Sequence, residues 1–121
     1  MNSENILKIA ANALNSKKAR QLKALKIDGL TTLSDYFLIA TATSSTHVRA
    51  LADEVEEMLK AQGVLPHHIE GKTTGWIVLD YNSVIVHVFT PQEREFYNLD
   101  NMWADGTEIE LSNILDEAEG D

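Results

Sequence analysis

The sequence contains no cysteine. Structural disulfides, thiolate zinc sites and cysteine nucleophiles are thereby excluded, and an intracellular protein fits best. No apolar run approaches the roughly 20 residues that span a bilayer. The opening Met1-Asn2-Ser3-Glu4-Asn5-Ile6-Leu7-Lys8 is acidic and amphipathic, unlike the basic and then uniformly apolar start of a secretory signal. A cytoplasmic location is expected. Basic residues are missing from position 105 onward, where Asp105, Glu108, Glu110, Asp116, Glu117, Glu119 and Asp121 supply most of the net charge of −9. The preceding part is close to neutral. Neither part has a basic stripe to neutralise phosphates, so little direct nucleic-acid binding is expected. A basic protein partner is compatible with the charge. Residues 1–104 therefore read as one folded domain and 105–121 as a flexible acidic tail.

What is present is ordinary globular material: 121 residues, 44% apolar and 24% charged, enough for one core without staples. Ile6, Ala10, Ala13 and Leu14 repeat at helical spacing within a helix predicted over Glu4–Ala19, with Ser3 as its N-cap. Leu22–Ile27 reads as a strand ending at Asp28-Gly29, and Tyr36–Ala40 as a buried central strand. The strongest helix follows Thr43-Ser44-Ser45-Thr46, with Val48, Leu51, Ala52, Val55, Met58 and Leu59 on one stripe and Gly63 closing it. Strand then helix is half of a βαβ unit, with Pro66–Glu70 as a weak candidate for the returning strand. Trp76–Tyr81 and Val84–Phe89 form a hairpin about Asn82-Ser83. In that register Ile77, Leu79, Tyr81, Val84, Val86 and Val88 make one wholly apolar face. Thr90-Pro91-Gln92-Glu93 is a capping box with proline at the first helical position. The fold class is α/β, a single domain with a mixed sheet of about five strands and flanking helices.

Chemistry is scarce. Gly71-Lys72-Thr73-Thr74-Gly75 has the spacing of neither nucleotide fingerprint. His67 and His68 are adjacent and point to opposite faces of a strand, while His47 and His87 have no ligand set beside them, so no metal site is expected. Ser44 and Ser45 are explained by capping. No catalytic residue and no cofactor is expected. The unusual feature is a grouping of aromatics, Trp76, Phe89, Phe96, Tyr97 and Trp103, on the hairpin and the helix after it. Phe96 suits the core. Trp76 and Phe89 fall with Asp80 and His87 on the second face of the hairpin, and periodicity leaves open whether that face is an interface or is covered by a helix.

Several blocks closely resemble the ribosomal silencing factor, or Iojap, family. They are Asp35–Thr41, Thr43–Val48, Ala52–Val55, Glu70-Gly71, Trp76–Tyr81, Val86–Phe89 and Glu93–Leu99. The resemblance implies a topology like that of nucleotidyltransferases without their catalytic carboxylates. It also implies binding to the large ribosomal subunit through its protein fourteen, blocking small-subunit joining and repressing translation when nutrients are scarce. Within the matching blocks, Trp76 and Phe89 are expected as apolar anchors for that basic protein, and Glu70, Asp80, Glu93 and Glu95 as complementary charges. His87 and Tyr97 lie on the same surface. Two alternatives from other classes are a metal-dependent nucleotidyltransferase using Asp35 or Asp80 and a homo-oligomeric scaffold joined through the aromatic face.

Overall fold

The computed structural model describes residues 1–71 and 75–116. Lys72-Thr73, and the acidic residues Glu117, Glu119 and Asp121, lie outside the described residues. The chain folds as one mixed six-stranded sheet with helices on both faces, one strand more than the sequence pattern suggested. Its strands are β1 (Arg20–Lys26), β2 (Tyr36–Thr41), β3 (His68–Glu70), β4 (Trp76–Asp80), β5 (Val84–Phe89) and β6 (Thr107–Ile109), in the spatial order β3-β4-β5-β2-β1-β6. Among the described residues only β2 and β5 pair in parallel. β2, buried at every position, lies at the centre, as its uninterrupted apolar run requires.

Helices α1 (Ser3–Ser16) and α2 (Ser45–Lys60) cover the first face. Their apolar stripes meet Ile77, Leu79, Val84, Val86 and Val88 in the larger core cluster. Asn2, not Ser3, caps α1, its side chain accepting from the Asn5 N–H at 2.8 Å. Ser44 caps α2, and Gly63 follows that helix at φ 78°, so that Val64 N–H reaches the Leu59 carbonyl. Met58, expected in the stripe, is exposed, because it lies at the stripe's edge.

The strand that returns parallel to β2 is β5, whereas His68–Glu70 runs antiparallel to β4 at the sheet edge. Nor does the chain become a tail after residue 104. Thr107–Ile109 pairs with β1, and Leu111, Ile114 and Leu115 pack on the larger core. Asn12 of α1 holds this segment, donating to the Ile114 carbonyl at 2.9 Å and accepting from the Asp116 N–H at 2.7 Å. The second face carries a smaller cluster of Leu25, Ile27, Phe37, Ile39, Phe89 and Leu99. It is flanked by α3 (Pro91–Tyr97) and α4 (Leu99–Met102).

Candidate functional site

The hairpin pairs Trp76 with Phe89, Ile77 with Val88, Val78 with His87 and Leu79 with Val86, the register that the apolar face dictates. Asn82 takes φ 66° to close the turn. Because side chains alternate along a strand, Trp76, Val78 and Asp80 point away from α1 and α2, toward the side of α3.

Helix α3 starts where the capping pattern places it. Thr90 Oγ1 accepts from the Glu93 N–H at 3.4 Å, with Pro91 at the first turn. The other half of a capping box would join the Glu93 carboxylate to the Thr90 N–H. Here that N–H donates to the Gly75 carbonyl at 2.8 Å, which leaves the Glu93 carboxylate for the surface. The strand and the helix approach so closely that a Cβ at Gly75 would stand 2.8 Å from Glu93 Cγ. Between them is a groove of about 310 Å³ lined by Glu70, Gly71, Trp76, Val78, Glu93 and Tyr97.

Trp76 forms the floor of this groove and is held from three sides. Its ring stacks on Phe89 with centroids 5.0 Å apart and meets Tyr97 at 4.4 Å. Its indole N–H donates to His87 Nδ1 at 3.2 Å. A nitrogen that accepts must be unprotonated, so the His87 proton sits on Nε2, which is buried with no hydrogen-bond partner among the described residues. Burial pushes the His87 imidazole down from 6.5 to about 4, and the ring is neutral at pH 7.

Arg94 fixes the helix that forms the groove's other wall. Its Nε and Nη2 bind Asp100 Oδ1 and Oδ2 at 2.9 and 2.8 Å. Its Nη1 donates to the Gln21 carbonyl at 2.8 Å and to Thr41 Oγ1 at 2.9 Å. The bidentate pair holds the Asp100 carboxyl below its usual range. One guanidinium thus ties α3 to α4, to the irregular start of β1 (Gln21, φ 48°) and to the end of β2. Asn98, left-handed at φ 50°, turns the chain from α3 into α4.

Of the residues expected at the site, Glu70, Trp76, Glu93 and Tyr97 come together around the groove. Phe89 does not reach the surface. It is fully buried, and His87 is 6% exposed, because α4 and Trp76 cover that part of the hairpin. They lie beneath the groove, against Trp76. Asp80 lies outside it, with Oδ1 accepting from the Asn82 N–H at 2.8 Å to brace the hairpin turn and Oδ2 3.8 Å from His68 Nε2. Glu95 is exposed beside the neighbouring depression formed with Arg94 and Asp100. Phe96, expected in the core, is 79% exposed, since a two-turn helix cannot bury both Phe96 and the side that carries Arg94. Arg94 escaped the sequence reading, because its partners are spread along the chain. Among the described residues no three His, Asp or Glu are close enough to hold a metal, and Asp35 and Asp80 join no such group.

The chain matches a family profile described as "RsfS: Ribosomal silencing factor during starvation" over residues 1–121. It belongs to the ribosomal silencing factor family. A factor of this name from Halalkalibacterium halodurans is 35% identical over 95% of this chain and 99% of its own length. Another from Bacillus subtilis is 38% identical over 92% and 95%. The fold is shared with a solved crystal structure of a Chromobacterium violaceum protein, with a TM-score of 0.83 at 33% identity, covering 86% of this chain and 88% of that one. The family is one of regulators named for silencing the ribosome, not for a catalysed reaction. Among the described residues no helix is long and apolar enough to cross a membrane.

Proposed function

We propose that this ribosomal silencing factor binds the large ribosomal subunit through its basic protein fourteen and, by its bulk, keeps the small subunit from joining. The observation that carries this reading is the groove itself. An aromatic floor of Trp76 and Tyr97 is bordered by the carboxylates of Glu70 and Glu93, the arrangement that suits a cationic protein surface with apolar contacts at its centre. The nearby cations Arg94 and Lys23 both face Asp100 and do not line the groove. Repression would act in the cytoplasm, where ribosomes are assembled and starved cells restrain translation.

Co-sedimentation with separated subunits tests the proposal. Binding to the large subunit alone, with loss of joined ribosomes, is the required result. Trp76→Ala should weaken that binding by about 2 kcal/mol or more, the size expected of a buried aromatic anchor. A titration of the variant with purified protein fourteen that matches wild type would remove Trp76 from the interface. If wild type instead self-associates through the groove and ignores both subunits, the scaffold reading replaces this one.

A further inference from the structure

Phe96 belongs to neither core cluster. At 79% it is the most exposed large hydrophobic side chain among the described residues, and α3 as a whole buries none of its residues. A seven-residue helix with no buried face is not stable by itself. This one is held by the Thr90 cap, the Arg94 clamp and the contact of Tyr97 with Trp76. The chain therefore uses several long-range contacts to keep rigid a helix whose outermost side chain is an uncovered phenyl ring. That ring meets Tyr97 edge-on, with centroids 5.0 Å apart. Phe96, Tyr97, Trp76 and Phe89 form a continuous aromatic row from solvent to core.

We infer that Phe96 is a pre-organised anchor that inserts into an apolar pocket on a basic protein surface, next to the groove that receives that protein's own side chains. The inference rests on the docking reading given above and adds the half of the interface that this chain pushes into its partner. Charge selects the occupant. Glu93 and Glu95 precede Phe96 on the same short helix, and no Lys or Arg pairs with either among the described residues, while Arg94 and Lys23 both face Asp100. An exposed aromatic can stack on a nucleic-acid base, but here the two carboxylates would face phosphates. A second copy of this chain would bring the same acids against themselves. A cationic protein surface meets neither difficulty. Because α3 is already fixed, inserting the ring orders little besides the side chain itself, the condition under which an aromatic gives most affinity.

The test compares wild type, Phe96→Ala, Phe96→Leu and the double variant Glu93→Gln/Glu95→Gln, all as full chains, for binding to purified large ribosomal subunits at two salt concentrations. Phe96→Ala should raise Kd about 30-fold or more, mainly through faster dissociation, with unchanged Tm and unchanged salt dependence. Leu should recover part of the loss. The double variant should slow association and flatten the salt dependence. Wild-type binding that Phe96→Ala leaves intact overturns the anchor, as does a loss accompanied by a fall in Tm. Loss of binding to protein-free ribosomal RNA in Phe96→Ala would make the occupant a base, and a wild-type dimer dissolved by Phe96→Ala would make it a second copy; either overturns the assignment. Wild type that fails to bind large subunits at all overturns the docking reading beneath it, a result distinct from all of these.

Discussion

His87→Gln should make the protein less sensitive to acid. The wild-type imidazole titrates at 6.5 in the unfolded chain and at about 4 in the fold, where burial disfavours its charge. Between those values the unfolded chain binds a proton that the native protein does not, so acid favours unfolding. Stability is complete above about pH 7, falls as pH drops from 6.5 toward 4, and levels off below. At 1.36 kcal/mol per pH unit the whole effect is about 3 kcal/mol, of which about 2 kcal/mol is lost between pH 7.5 and pH 5.0. Gln is similar in size, does not titrate, and offers an amide oxygen to the Trp76 N–H. Urea unfolding followed by far-UV circular dichroism at both pH values measures the difference within each protein. His47, His67 and His68 are present in both and cancel. Asp100, whose pKa is lowered, loses its contribution only as pH falls through a value below 3.8, outside the window. A His87→Gln variant that still loses about 2 kcal/mol on acidification would show that the buried imidazole is not the source.

Two further outcomes follow from side chains that tie distant segments together. Arg94→Met leaves the partly buried Asp100 with only the Lys23 ammonium, 3.7 Å away, and frees the Gln21 carbonyl, and should cost about 1–2 kcal/mol in urea unfolding; Arg94→Lys should recover little, because an ammonium cannot make the bidentate pair. Asn12→Ala removes the two bonds that hold Ile114 and Asp116 and should cost about 1–2 kcal/mol. Amide exchange should then quicken over 107–116 while the β2–β5 pairing remains protected; uniform quickening would mean that this segment does not open separately.

The parts of the fold that sequence made legible are those written in periodicity. Two alternating runs joined by two residues admit one register that gathers Ile77, Leu79, Val86 and Val88 on a single face, and that register is the one observed. The Thr90-Pro91-Glu93 pattern likewise marked the start of α3. What escaped has no local signature. Arg94 finds its partners at residues 21, 41 and 100, and neither spacing nor composition connects those positions. Thr107-Glu108-Ile109 does alternate, but a run of acids without a single base resembles a solvated tail more strongly than it resembles an edge strand. Half of the candidate site was visible for the same reasons. Trp76 and Tyr97 follow from register and helix position. Whether Phe89 lies at the surface or beneath it depended on what covers the second face, and that was decided by α4 and by the indole of Trp76 itself.

The position of β6 bears on how the protein is made. β1 lies near the start of the chain and β6 near its end, yet they are neighbours in the sheet. During synthesis every other strand is available before Thr107–Ile109 emerges, so the nascent sheet waits with the outer edge of β1 open, a row of unpaired backbone groups able to recruit another chain. A protein that restrains ribosomes thus has an edge of its sheet uncovered for as long as a ribosome is still making it, and a stop after Ala104 would leave that edge open for good.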